Sequence, residues 1–371
     1  MTAGPRGGRP AGQVRFGIVG PGRVAELHAA ALGRIPGARL VGVAGRNPDR
    51  ARALGRTYGA ATWPSFEGML GSGQLDALIV CTPHPLHAEH AIAAARAGIH
   101  VVVEKPMAVT IRDCDAMIAA AARSQVVLSV ISQRRWYPAV RRVKAAIDAG
   151  RIGDPGLATL EVLGWRGPEY YALDAWRGTP EGEGGGVLVN QAVHQLDLLR
   201  WFLGPVIEIG GQLANLNHPE IEVEDTAVAV ARFASGALAS IVVSNSQRPG
   251  LHANIHVHGR NGASVGVETD RGSSFVAGTS LPSLARNDLW TISGEEHLPD
   301  HWAAEDAAAM AGVDVASHYH ELQLRDIVDA IRGGRAPAVG GVEGRATVEL
   351  SAAIYEAHAT GLPVRLAPYA G

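Results

Sequence analysis

Val14-Arg15-Phe16-Gly17-Ile18-Val19-Gly20-Pro21-Gly22-Arg23-Val24-Ala25 is the stretch on which the fold turns. Its first six residues read as a short strand, and Gly20 to Ala25 form a G-x-G-x-x-A run that opens a helical segment from Glu26 to Gly33. In such a run the first glycine allows a tight turn and the second lets backbone approach a pyrophosphate. The small third residue lets the helix close on the strand, and the helix N–H groups face the phosphates. Gly20, Gly22, Arg23 and Val24 are therefore candidates for holding a dinucleotide. With 46 glycines in the chain the run needs context to mean this.

The context is a continued alternation of strands and helices. A second strand, Arg39 to Ala44, ends in Gly45-Arg46-Asn47-Pro48, where NAD-binding folds place an acid for the ribose hydroxyls. No acid stands there. Gly45 leaves space and Arg46 supplies a guanidinium suited to a 2′-phosphate, so NADP is the expected cofactor, with NAD the other possibility. A third strand, Ala77 to Cys81, runs into Thr82-Pro83-His84-Pro85-Leu86-His87 and a helix ending at Gly98. The alternation implies a parallel sheet with ligands beyond its carboxyl edge, so Thr82, His84 and His87 are read as a loop lining the cofactor. His84, His87 and His90 fall three apart, unlike the i, i+4 pair of a zinc helix, and no metal site is expected.

The next apolar run, Ile99-His100-Val101-Val102-Val103-Glu104-Lys105-Pro106, is a buried strand that Pro106 stops by lacking an N–H. Lys105 thus lies on the ligand edge. Only Lys105 and Lys144 among the 33 basic residues are lysine. An arginine cannot release its proton in a protein, whereas an ammonium can exchange one with a substrate oxygen. A chain that writes arginine elsewhere and lysine here points to chemistry at Lys105; the alternative is a Glu104–Lys105 ion pair bracing the loop.

At 371 residues the chain exceeds the size at which a single core keeps growing, so two domains are expected. Hydrophobic residues at 47% and charged residues at 19% describe a globular protein. A net charge of −3 with interspersed signs leaves no basic field for nucleic acid or an anionic membrane, and neither partner is expected. Residues 1–13 mix Gly, Pro and Arg without an apolar core and read as a disordered tail, not a signal peptide. Two cysteines, Cys81 and Cys114, make no disulfide framework or thiolate cluster, and the expected compartment is the cytoplasm.

In the second half, an amphipathic helix from Ala139 to Ala149 is followed by Gly184-Gly185-Gly186 and a helix from Val187 to Gly204. At about 100° per residue, Asn190, His194 and Asp197 would share one stripe of that otherwise apolar helix. Buried polar groups must bond one another or face a polar pocket. Hairpins follow, Ala227–Phe233 with Ala237–Ser244 and Asn254–Gly259 with Ala263–Glu268, the second across an Asn-Gly turn. They imply an antiparallel or mixed sheet in a second domain. Helices over His318–Ile331 and Glu343–His358 close the chain, while 271–300 reads as irregular.

Gly20-x-Gly22, Thr82-Pro83, Glu104-Lys105-Pro106, the block Gly184 to Asp197 and the ending Gly333-Gly334-Arg335 through Gly361-Leu362-Pro363-Val364 occur in one order. That order resembles the glucose–fructose oxidoreductase/inositol dehydrogenase (Gfo/Idh/MocA) family over nearly the whole chain. The resemblance implies an α/β protein with a Rossmann domain over 14–130. An α/β domain over 131–371 would follow, its large, open, mostly antiparallel sheet joining homodimers or homotetramers. It also implies NAD(P)-dependent hydride transfer to or from a carbinol carbon of a sugar, glycoside or cyclitol. Carried over by position, Lys105 and His194 match the family's catalytic pair, with Glu104 beside the cofactor. Asn190 departs from the usual Asp and can hydrogen-bond but not relay a proton through a carboxylate. His194 is assigned as general acid/base, Lys105 as oxyanion partner and proton shuttle, and Asn190 as a substrate-orienting member of the catalytic set. Arg134, Tyr171, Trp176, Arg177 and Asp197 are candidate substrate contacts. The competing reading, drawn from regulatory members of that family, is a non-catalytic NAD(P) sensor.

Overall fold

The computed structural model describes residues 12–271 and 284–367. Strands β1 (Val14–Val19), β2 (Ala38–Ala44), β3 (Ala61–Trp63), β4 (Ala77–Val80), β5 (His100–Val103) and β6 (Leu128–Val130) form a parallel sheet in the order β3-β2-β1-β4-β5-β6. Phe16, Ile18, Val43, Ile79 and Val102 are fully buried, as expected of strands covered by helices on both faces. The order reverses between β1 and β4, which opens a crevice at their carboxyl ends. The helix after β1 runs Arg23–Leu32 and starts three residues before the expected Glu26, because Gly22, in extended backbone, is already its N-cap. Strand β5 stops at Val103: Ile131 N donates to Val103 O at 2.9 Å and Glu104 N to Val80 O at 3.1 Å. Lys105 therefore leaves the sheet at its carboxyl edge.

The second sheet takes the order β12-β11-β7-β10-β9-β8-β13, from β7 (Pro155–Leu163), β8 (Val206–Ala214), β9 (Thr226–Phe233), β10 (Leu238–Ser244), β11 (His252–Gly259), β12 (Ser264–Arg271) and β13 (Val364–Arg365). Only β7 and β10 pair in parallel; the other neighbours are antiparallel. Both expected hairpins, β9–β10 and β11–β12, are present. Along β9 the period of two is plain: Ala227, Ala229, Ala231 and Phe233 face the core, while Val228 and Val230 are 50% and 64% exposed. Among the described residues the outer face is therefore open along β9, whereas β12 is buried on both faces.

Three expectations change. The helix expected from Val187 to Gly204 is two pieces, Val187–Asn190 and Val193–Leu203. At the break Gln191 N and Ala192 N both turn to Val187 O, at 3.1 and 2.8 Å, so Asn190 stands on a different segment from His194 and Asp197. The hydrophobic period runs unbroken through the break, which is why the sequence reads as one helix. Part of the stretch read as irregular is ordered: bridges pair Arg286 with Glu268 and Trp290 with Val265, and a helix spans Leu298–Ala309, while 272–283 lie outside the described residues. Of the expected tail, residues 1–11 likewise lie outside them. Finally, the chain recrosses the boundary expected at residue 131. The helix Val315–Gly333 places Leu324, Ile327 and Val328 in the core that holds Phe16 and Ile79. Its Gln323 bonds Ser132 N and Val130 O at 2.9 and 2.8 Å.

Candidate active site

The crevice begins at the Gly20-Pro21-Gly22 turn. Gly20 has φ +91°, and a Cβ on it would lie 2.6 Å from the Cys81 carbonyl, so the end of β4 presses against this turn. Among the described residues a Cβ on Gly22 would meet nothing within 4 Å, and no side chain caps the helix that starts at Arg23. Open space before uncapped N–H groups is what a pyrophosphate requires, and the cradle therefore fits a dinucleotide. Ala25 is fully buried where the helix closes on the sheet. Arg46 is exposed at the end of β2 and makes no hydrogen bond or ion pair among the described residues.

Lys105 is the centre of the site. Its Nζ donates to the main-chain oxygen of Asn190 at 3.2 Å, which joins the edge of the first sheet to the broken helix. Burial pushes its pKa down to about 8; the Arg166 and Arg134 cations add to this, and Glu104 and Glu183 oppose it. Lys105 and His194 line one cavity together with Ser132, Val193 and Asp197. Burial, reinforced by Arg134 and Lys105, holds His194 well below the usual histidine range, so its imidazole is neutral. The Asn190 side chain donates to Tyr170 OH at 2.9 Å and to Glu183 Oε1.

The triple glycine that introduces the broken helix is required by packing. A Cβ on Gly186 would lie 1.8 Å from the Glu224 carbonyl oxygen, and one on Gly185 would lie 2.2 Å from Tyr355 OH. The Glu224 carboxylate accepts from Gly186 N and Leu188 N at 2.9 and 3.0 Å and from Tyr355 OH at 2.6 Å, and so caps the short helix that carries Asn190.

Two family models match this chain: an oxidoreductase family with an NAD-binding Rossmann fold over residues 14–132, and the GFO/IDH/MocA C-terminal domain over 140–265. The chain belongs to the GFO/IDH/MocA oxidoreductases. It is 30% identical to myo-inositol 2-dehydrogenase of Thermotoga maritima, over 90% of this chain and 92% of that one. To inositol 2-dehydrogenase 3 of Saccharopolyspora erythraea it is 28% identical, over 95% and 96%. The WlbA dehydrogenase of Bordetella pertussis, solved in complex with NADH and UDP-GlcNAcA, superimposes with a TM-score of 0.85 at 33% identity, covering 97% of this chain and 99% of that one.

Within this family fold, several residues expected to touch a ligand are engaged elsewhere. Glu104 faces inward: Oε1 lies 2.7 Å from His28 Nε2 and Oε2 accepts from Lys105 N at 3.1 Å. Burial pushes its pKa up, but His28, His320 and Lys105 outweigh this and hold it at about 2. His87 is buried, its ring nitrogens each 2.8 Å from the carbonyls of Pro106 and Thr82, so it fastens the two loops instead of lining the cofactor. The Thr82 hydroxyl faces His90 Nδ1 at 3.2 Å. Gly45 does not open room for a phosphate; a Cβ there would lie 2.1 Å from Pro21 Cδ, so its smallness serves the turn. Asp197 accepts from Arg135 Nη2 and Nε at 2.5 and 2.8 Å and from Ser132 Oγ, so it is held by an ion pair although it lines the cavity. Arg134 is bonded to Asp270 and, at 2.9 Å, to Thr269.

His84 is in place at the interface of the halves: its Nδ1 lies 2.8 Å from Glu183 O, its ring sits edge-on to Trp176, and burial together with His87 lowers its pKa to about 3. Arg177 covers Tyr170 and Trp176, with its Cζ 4.4 and 4.6 Å from their ring centroids. Tyr171 packs on His218, 5.4 Å between ring centroids; its neighbour Tyr170 is the one bonded to Asn190. Sequence reasoning missed Arg166, Tyr170, Glu183 and Gln191. The Tyr170-Tyr171 doublet was the one available signal, and only packing shows which of the two faces Asn190.

Proposed function

We propose that this oxidoreductase transfers a hydride between a nicotinamide cofactor and a ring carbinol or ketone carbon of a sugar, glycoside or cyclitol. The observation that carries this reading is Lys105, lowered to about 8, on the carboxyl edge of the nucleotide-binding sheet and bonded to the helix segment that leads to His194. A bound nicotinamide would supply the hydride acceptor in oxidation and the donor in reduction. In oxidation the neutral Lys105 amine takes the hydroxyl proton as the C–O bond becomes C=O, and in reduction its ammonium returns it. This reverses the roles expected from the sequence. His194, held neutral and weakly basic, suits hydrogen bonding to the reacting oxygen better than carrying its proton. Asn190, through its amide, would position a neighbouring hydroxyl.

The cofactor proposed is NADP, because Arg46 is an exposed guanidinium without a partner among the described residues at the end of β2. The outer face of the second sheet, with Val228, Val230 and Leu238 exposed, is proposed as the contact of a homodimer or homotetramer. Among the described residues no helix is long and apolar enough to cross a membrane, which is compatible with the proposed cytoplasmic location. The test is nicotinamide absorbance followed over hexoses, inositols, glycosides and their keto forms. Turnover with at least one class is expected. Tight cofactor binding with turnover on none would overturn the reading in favour of a sensor.

A further inference from the structure

Four arginines among the described residues are almost wholly removed from water: Arg134, Arg135, Arg166 and Arg345, at 8%, 5%, 4% and 8% exposure. Three have a carboxylate. Arg134 meets Asp270, Arg135 meets Asp197 at 2.5 Å, and Arg345 meets Asp115 at 2.6 Å. Arg166 is ion-paired with none among the described residues. Its Nε donates to Gln191 Oε1 at 3.1 Å, Nη2 reaches the same oxygen, and Nη1 is buried with no acceptor. The guanidinium lies 3.9 Å from the centroid of the Tyr170 ring, so it is held on two sides by uncharged partners. The Glu183 carboxylate is bonded instead to Gly178 N, at 2.7 Å, and to Asn190. Glu183 acts on this guanidinium through space without bonding it, so Arg166 is the one of the four with no bonded carboxylate, and its buried Nη1 is left without an acceptor, which is costly.

We propose that Arg166 receives an anionic group of the substrate, a carboxylate or phosphate, so that the substrate is an acidic sugar and not a neutral polyol. The inference rests on the hydride-transfer reading and adds the substrate's charge to it. The guanidinium fork matches two oxygens of such a group, and its free Nη1 is the donor available. The position limits where the charge sits. Arg166 is bonded to Gln191, the residue after Asn190, whose carbonyl takes the Lys105 ammonium at 3.2 Å. Arg166 is also one of the cations that lower the Lys105 pKa, so the anion would sit near the reacting carbinol, on the sugar ring or on its exocyclic carbon. A neutral Gln191 serves this arrangement, because an acid there would quench the cation before substrate arrived.

The experiment is calorimetric titration of the full chain loaded with NADPH or NADH, using matched pairs: D-glucuronate with D-glucose, UDP-GlcNAcA with UDP-GlcNAc, and D-glucose 6-phosphate as the phosphate arm. At least one anionic member should bind about thirtyfold tighter than its neutral partner, as a charge-assisted fork contact requires. Preference for glucuronate or UDP-GlcNAcA identifies a ring carboxylate, and preference for glucose 6-phosphate a phosphate. Arg166→Gln should reduce the ratio to about threefold or less; if that variant fails to fold, Arg166→Lys, which keeps the charge but not the fork, should lower it about fivefold. Equal binding of charged and neutral members, no binding of any anion, or a ratio unchanged in the variants would overturn the proposal. Turnover confined to neutral sugars would overturn it while leaving the oxidoreductase reading standing, and anion binding without any turnover would do the reverse.

Discussion

Gly20–Gly22 and Gly184–Gly186 both open helices at the crevice, yet the glycines of the two turns answer different neighbours. At Gly22 a side chain would meet nothing within 4 Å among the described residues, so the missing Cβ keeps space for a ligand; at Gly186 it would meet the Glu224 carbonyl at 1.8 Å, so the missing Cβ admits the protein itself. In the proposed reading the first turn presents its backbone to a phosphate. The second delivers Asn190 and, past the break, His194, and it is held by Glu224 and Tyr355. Glycine-rich composition alone does not separate a ligand cradle from a packing constraint.

Lys105 lies between the two turns, and replacing it should damage neither. Lys105→Arg keeps the charge but cannot exchange a proton, so turnover should fall about 10²- to 10⁴-fold while cofactor affinity stays within about threefold. In the native enzyme, oxidation requires the neutral amine and should rise with pH through about 8; reduction requires the ammonium and should fall over the same range. A limb near ordinary histidine values that persists in Lys105→Arg would return the proton to His194.

Next in size is the contrast between the glycines. Gly186→Ala must displace backbone and should cost about 2–3 kcal/mol of stability in chemical denaturation. Gly22→Ala should leave stability within about 0.5 kcal/mol yet weaken cofactor binding about tenfold, because a methyl group enters the phosphate's space. Matching stability losses in the two variants would erase the distinction. At the far end of the cradle, Arg46→Ala should weaken NADP by roughly tenfold and leave NAD almost unchanged; equal losses for both would make Arg46 a solvated loop residue.

The two regions were also unequally legible. Gly20, Gly22 and Lys105 could be read from the sequence because each owes its meaning to its own strand and the turn that follows. His194 could be found from its place among apolar neighbours on the expected helix and from the family resemblance. Arg166, Tyr170 and Glu183 gave no such signal, since what they do depends on how residues 164–184 fold back on Gln191 and Asn190, a contact that no local period encodes. The expected stripe failed for the same reason: Asp197 shares the apolar period of the helix but is held by Arg135, 62 residues away in sequence. Long-range ion pairs decide which buried acid faces a ligand, and they leave no trace in a helical repeat.

The smallest effect concerns why residue 190 is an amide. Asn190 Nδ2 donates to Glu183 Oε1, and burial already raises the Glu183 pKa against the bonds it accepts from Gly178 and Asn190. An aspartate at 190 would remove the donor and set two carboxylates face to face, so that the pair would retain a proton. Asn190→Asp alone should therefore cost about 1–2 kcal/mol in kcat/KM. Glu183→Gln alone should cost about as much, since the Gly178 and Asn190 donors lose their charged acceptor. Combining Glu183→Gln with Asn190→Asp simply reverses the polarity of the contact: the new amide at position 183 can donate to the new carboxylate at position 190. The pair should then recover about 1 kcal/mol relative to the sum of the single changes, read from a double-mutant cycle in both kcat/KM and melting temperature. Additivity within about 0.3 kcal/mol would mean that Glu183 does not dictate the amide, and that the departure at residue 190 answers to the substrate instead.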